Sequence, residues 1–586
     1  LGALFGGGTT CSALYHGENG LSEADVLDMA TRDPAGRLVD AWNTPGCRHG
    51  TLSNPRYLDY ILRWCRSQMD AGADYLFMDE HNAALERREG YDDYSLRDFR
   101  DYLLRAYCAG LGWSRTDARW REKLGVDPAD RELCSDGTLA SFDYRVFLRR
   151  RGLAEQPRSI RNPFLADWQK FRAERDERAW KKLTDSIRDY ARSKGRRVLI
   201  SANGLAKFVD LQVLGVWGLW RVKDDRVDLA ESQMHEWHAV VRCGRAVAER
   251  KVPVVFFHDW GFMGFPWLKV PPSDRELWMR VRGAEIYAAG GFFAFPVTGP
   301  FGCDALKDGT LGTMARLTQF YSAHKEIFLR AQPLAMDCIE SNAPQLSTAL
   351  WTRAQPPAVI LHVINRATDG GRLRRRETIT LDVPTTVMPE RVTVLSPDEE
   401  PARAKLRRSG GKVRVDLTGL EAHSVIMLDY RKMPKLSVKG AARIVPGLGW
   451  ERPTQNEYIV HTGGVVNDGW NLQSYFQGRL HAHLRNPPTF IVNAPQGGKL
   501  LVRVRAVARA GARLEFRVDD KLAQTADLPD RDGRNDGEAQ EYAEIISFAI
   551  PPGQHRLGLD NTGGDWARLD WLEFQGVFKE PALPKR

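Results

Sequence analysis

The chain has no run of about 18 apolar residues, the length needed for a membrane-crossing helix, so no segment reads as a span. Its eight cysteines (11, 47, 65, 108, 134, 243, 303 and 338) are thinly spread, with no CxxC pair and no zinc-ligand spacing. That excludes a disulfide-dense scaffold and a zinc ribbon. Cys11 with Cys47, or Cys108 with Cys134, are candidate pairs that sequence leaves open. HExxH, GxSxG and Walker A patterns are all absent, and no GxGxxG follows an apolar run. No low-complexity segment or internal repeat occurs, and no cofactor is implied. Charge of one sign is also scarce: 84 Lys and Arg against 75 Asp and Glu leave a net +9. The basic stretches Arg149-Arg150-Arg151 and Arg372-Leu373-Arg374-Arg375-Arg376 lack interleaved aromatics, so they read as solvated faces rather than a nucleic-acid groove. There is no basic-then-apolar leader, and the chain opens at Leu1 on a strand-like stretch. The expectation is a fragment or processed chain whose earlier portion, with any secretion signal, precedes Leu1, and a secreted or periplasmic location.

What is present begins with length. The 586 residues suggest about three or four domains. Residues 1–332 alternate apolar strands with amphipathic helices, an α/β signature. Strands are expected at 1–5, 75–79, 197–202, 227–231, 252–258 and 291–297, and helices at 55–70, 166–193, 234–250, 274–289 and 311–329. On that pattern the domain is a (β/α)8 TIM barrel whose first two strands lie before Leu1, so that 1–5 is strand 3 and 291–297 is strand 8. Residues 83–160 are too long and charged for a simple connection and read as a helical insertion. A doubly wound open sheet is the alternative architecture. From 333 the period changes to two: 333–430 reads as a β-sandwich and 440–578 as a second β domain.

Residues just past the C-terminal end of a barrel strand line the active site. The segment Tyr75-Leu76-Phe77-Met78-Asp79-Glu80-His81-Asn82 therefore places carboxylates where glycosidic bond cleavage needs them. Glu231 closes a later segment of the same kind, Val227-Asp228-Leu229-Ala230-Glu231, and Asp79 with Glu231 is the expected catalytic pair. A helix N-cap or a salt bridge is the structural alternative for Asp79. Glu80 should face away from Asp79 if the strand continues, as a supporting group. Asn203, His81, Asn82 and His258 are candidates for sugar hydroxyls, Asn203 because an amide both donates and accepts. Asp259 is a candidate third carboxylate stabilising an oxocarbenium-like transition state, with a structural His258–Asp259 pair as the alternative. Trp217, Trp220, Trp260 and Trp267 are candidate stacking platforms, part of an excess of 17 Trp, although core packing serves tryptophan equally well. His481-Ala482-His483 is the one HxH, on an expected strand, and reads as a surface feature rather than a metal site.

The stretch from Asp70 to Glu80 resembles the GxDGxxxDE segment of barrel glycosidases, departing from it at Tyr75. With Asn203 and then Val227-Asp228-Leu229-Ala230-Glu231-Ser232-Gln233, the order is similar to the α-retaining, dextranase-like family. The resemblance implies Asp79 as nucleophile and Glu231 as general acid/base. Residues 333–430 resemble the small β-sandwich that often follows a glycosidase barrel. Residues 440–578, ending on Trp566-Ala567-Arg568-Leu569-Asp570-Trp571, resemble a galactose-binding-type jelly roll, which implies Trp470, Tyr475 and Trp566 facing ligand, with a purely structural jelly roll as the alternative. The expected partner is an oligo- or polysaccharide. The rival readings are a non-catalytic carbohydrate-binding protein on a barrel scaffold and a metal-dependent hydrolase on the same fold.

Overall fold

The computed structural model describes residues 5–80, 90–157, 159, 161–215, 222–223, 225–257, 270–294, 310–436, 442–444, 459–463, 476–485, 487–537, 539–579 and 581–582. The chain divides into two compact units, Leu1–Val213 and Leu214–Arg586.

The first unit is built on a parallel sheet in the order Gly6–Thr10, Tyr75–Asp79, Leu199–Ala202, with Thr10 opposite Asp79 and Met78 opposite Ala202. The first strand lies later than the expected 1–5, of which 1–4 fall outside the described residues. Tyr75–Asp79 alternates in burial, so Leu76 and Met78 enter the core while Asp79 shares the opposite face with Tyr75 and Phe77. The helix Pro55–Asp70 starts cleanly because the Asn54 side chain accepts from the Arg56 amide and Pro55 sits where no N–H is needed. It closes the core with Ile61, Cys65 and Met69, joined by Leu183 and Ile187 of the helix Leu165–Ser193. Between strand and long helix, Asp93–Leu103, Ala118–Leu124 and Tyr144–Arg150 gather a separate aromatic core around Phe99, Trp120, Tyr144 and Trp168.

In the second unit, Val254–Phe257 and Phe292–Ala294 pair in parallel. Met234–Ala248 and Pro272–Ala288 supply Trp237 and Trp278 to a core that also takes Trp351 and Ile360 from a five-stranded antiparallel sheet. That sheet runs Gln332–Met336, Leu346–Arg353, Ala358–Asn365, His423–Asp429, Arg391–Leu395. All eight residues of Ala358–Asn365 are buried because it is covered on both faces: Ile360 and Ile364 meet the helices, and Val359, Leu361 and Val363 meet a four-stranded second sheet. The last region packs Ala442–Ile444, Ala567–Gly576, Gly498–Val507, Ile545–Ile550 against Ile459–Gly463, Thr489–Ala494, Gly553–Asn561, Ala512–Val518, Lys521–Leu528, with Phe490, Phe516, Leu557 and Phe574 between.

The described α/β strands thus include a three-stranded parallel sheet and the parallel pairing of Val254–Phe257 with Phe292–Ala294. One expected strand is corrected. Instead of a strand at 227–231, Arg226–Val227 makes a two-residue antiparallel hairpin with Val222–Lys223. Beyond it the Asp228 carboxylate accepts from the Ala230 amide, an Asx turn that bends the chain. Arg282 takes the carbonyls of Asp228 and Glu231, and Arg366 those of Leu229 and Ala230, so side chains satisfy the acceptors a sheet ladder would have used. Among the described residues no helix is long and apolar enough to cross a membrane. Cys11, Cys47, Cys65, Cys108, Cys134 and Cys338 are free, so neither candidate disulfide is present.

Candidate active site

Asp79 is the last residue of its strand, and its carbonyl accepts from the Cys11 amide at 2.8 Å, tying it to the end of the neighbouring strand. Asn203 follows the third strand and donates from Nδ2 to Asp79 Oδ1 at 3.0 Å. Burial pushes the Asp79 carboxyl above its ordinary range; the Asn203 amide opposes this by favouring the charged form, and the neighbouring Glu80 charge adds to the rise. On the same face the Tyr75 and Ser201 hydroxyls hydrogen-bond to each other.

The strand does not continue into Glu80. Glu80 takes a left-handed backbone, φ 49°, which turns the chain sharply and sends its carboxylate to different partners. Ser12 Oγ donates to Oε2 at 2.7 Å, and Trp42 Nε1 donates to Oε1 and Oε2 at 2.8 and 2.9 Å. Trp42 is itself left-handed, φ 53°, and is 47% exposed. His49 meets it edge-on at 6.4 Å between centroids and bonds through Nδ1 to the Ser12 carbonyl at 3.1 Å. Below, the Tyr57 hydroxyl donates to the Cys11 carbonyl at 2.9 Å, and burial pushes the Cys11 thiol up, so it is an inert neutral group. Asp79, Glu80 and Asn203 were legible as candidates from their strand ends. Ser12 and Trp42 were not, since they lie in short irregular elements whose sequence carries no period.

Glu231 is exposed, on the bend ahead of Met234–Ala248, and ends no strand. Trp566 corrects the expectation of a ligand-facing aromatic: it is 1% exposed and packed on Ala506 and Ala508. His81, Asn82, Trp217, Trp220, His258, Asp259, Trp260, Trp267, Trp470 and Tyr475 lie outside the described residues. His481 belongs to the turn Arg479–Leu484, not a strand, and its Nδ1 meets Asp565 at 2.7 Å. Among the described residues, Asp530, Asp532 and Glu541 form an acidic group with ligand atoms within 4.8 Å of one another. Its oxygens accept backbone N–H groups of Val507, Arg531, Asp532, Gly533 and Arg534, which accounts for the cluster as a loop closure.

No family model matches the chain, and no curated protein matches it. Solved structures similar to it include glycoside hydrolases at low identity. One is a Paenibacillus sp. cycloisomaltooligosaccharide glucanotransferase complexed with cycloisomaltoheptaose, with a TM-score of 0.43 and 8% identity over 72% of each chain. Another is the Arthrobacter globiformis T6 isomalto-dextranase complexed with panose, with a TM-score of 0.30 and 10% identity over 97% of this chain and 81% of that one. A family 35 carbohydrate binding module from an environmental isolate covers 23% of this chain and 80% of its own, with a TM-score of 0.15 and 14% identity.

Proposed function

We propose that the chain is a retaining glycoside hydrolase of an oligo- or polysaccharide, with a (β/α)8 catalytic domain followed by a β-sandwich and a jelly roll of carbohydrate-binding type, acting outside the cytoplasm. Asp79 attacks the anomeric carbon while the bond to the glycosidic oxygen breaks and that oxygen takes a proton from Glu231. Glu231 then takes a proton from the water that displaces Asp79, and the sugar leaves with its starting anomeric configuration. The observation that carries the reading is the Asp79–Asn203 hydrogen bond: a desolvated carboxyl at the end of a parallel strand, oriented by an amide from the end of the next. Desolvation sharpens a carboxylate as a nucleophile, and a positioned amide fixes which oxygen is presented. The role of Glu231 rests on the order of residues in the sequence.

The test is release of reducing sugar from dextran, starch, isomaltotriose and maltotriose by the full chain, with the anomer of the first product read by NMR. Asp79→Asn and Glu231→Gln are each expected to lower kcat on the order of 10³-fold or more. Full activity in Asp79→Ala overturns the nucleophile assignment. An inverted first product overturns the retaining mechanism.

A further inference from the structure

Trp42 contradicts three ordinary expectations at once. A large aromatic normally contributes to a core, yet nearly half of this one faces solvent. A bulky residue avoids left-handed backbone, yet both Trp42 and the residue it bonds, Glu80, adopt it. An exposed indole N–H is ordinarily satisfied by water, yet this one is shared between both oxygens of a carboxylate adjoining Asp79. Strain of this kind persists only where surrounding contacts over-determine it, and it collects at ligand sites. Here the contacts are the Glu80 carboxylate on the N–H edge and the His49 ring against the indole. Ser12 Oγ holds Glu80 in turn. The ring is therefore fixed before any ligand arrives, and a ligand covering it has less ordering entropy to overcome.

We propose that the exposed face of Trp42 is a stacking platform for a pyranose ring at the subsite beside Asp79 and Glu80, and that Glu80 is the positioning residue that orients it. The chemistry is matched in two parts. An indole face covers the apolar C–H face of a sugar, while Glu80 keeps acceptor capacity for a ring hydroxyl, since a carboxylate offers about four lone-pair sites. This inference rests on the glycosidase reading only in taking the ligand to be a saccharide.

The experiment is calorimetric titration of isomaltotriose, with maltotriose and cellotriose beside it, into the full chain carrying Asp79→Asn so that no ligand is consumed. Trp42→Ala is expected to weaken binding of the best sugar about tenfold or more, and Trp42→Phe, which keeps a ring but loses the N–H, by less. In the chain with native Asp79, Trp42→Ala should raise KM with little change in kcat. Glu80→Ala keeps the indole and removes its anchor, so it reads the same contact even where Trp42→Ala fails to fold, and it too should weaken binding. Parent affinity in Trp42→Ala or in Glu80→Ala overturns the proposal, as does a fall in kcat at unchanged KM. Absence of binding by all three sugars, or tetramethylammonium binding that Trp42→Ala abolishes while sugar binding survives, also overturns it. Sugar binding that depends on Trp42 without hydrolysis by native chain removes the glycosidase reading alone. Asp79-dependent hydrolysis with Trp42-independent binding and KM removes this inference alone.

Discussion

The side-chain amide of Asn203 donates to the carboxylate of Asp79 at 3.0 Å, although 124 residues of chain separate them. The parallel sheet makes this possible, because Met78 stands opposite Ala202 and the two strands end side by side.

The bond sets a pH dependence. In the proposed role of nucleophile Asp79 works ionised, so hydrolysis is expected to fall as pH drops through its raised pKa. Asn203→Ala removes a donor that favours the charged form and pushes that pKa higher still. The acidic limb of kcat/KM against pH should therefore move to higher pH in the variant. An unmoved limb shows that the bond does not control ionisation.

Asp79 should also cost stability. A carboxyl whose folded pKa exceeds its unfolded value stabilises the fold only when protonated, and that contribution disappears as pH rises through the folded pKa. At neutral pH Asp79→Asn should raise the melting temperature while hydrolysis is lost. A lower melting temperature at pH 7 would contradict the desolvation argument.

Arg282 and Glu285 form a buried pair, 1% and 0% exposed at the side chain, at 2.7 Å, and Ser347 Oγ donates to the second Glu285 oxygen. Arg282→Met strips the buried Glu285 of this cation and removes the donor to the carbonyls of Asp228 and Glu231. The expected loss is about 3–5 kcal/mol, read from urea unfolding. Arg282→Met with Glu285→Leu should recover part of it, since burial of an ion pair carries its own desolvation cost.

Two buried histidines, His362 and His423, stack on the helix-covered face of the five-stranded sheet, Nδ1 to Nε2 at 3.3 Å, with the Tyr321 hydroxyl 3.3 Å from His423 Nδ1. Burial lowers both, His423 to about 4, with nearby Asp398 opposing the shift there and His423 adding to it at His362. The unfolded chain then binds more protons between its ordinary histidine pKa and that value, so stability should fall as pH falls from about 6.5 toward 4, on the order of 3 kcal/mol for His423 alone. His362→Phe should flatten the dependence of melting temperature on pH; an unchanged slope assigns the acid sensitivity elsewhere.

Periodicity and punctuation alone determine the local elements. The helix Pro55–Asp70 and the strand Tyr75–Asp79 fall where their apolar repeats and the intervening Gly72 put them, because a repeat records which face is buried wherever the rest of the chain lies. The strand-end positions of Asp79 and Asn203 follow from the same signal. Tertiary structure decided what a repeat cannot carry, namely which polar group meets which partner. Val227-Asp228-Leu229-Ala230-Glu231 alternates like a strand, but two arginines from distant segments take its carbonyls and the chain bends. Trp566 and Trp42 are the same residue type with opposite fates, one packed against alanines and the other held open by a carboxylate 38 residues away. A buried or strained hydrogen-bonding group must find a partner, and that partner is chosen by the folded chain as a whole.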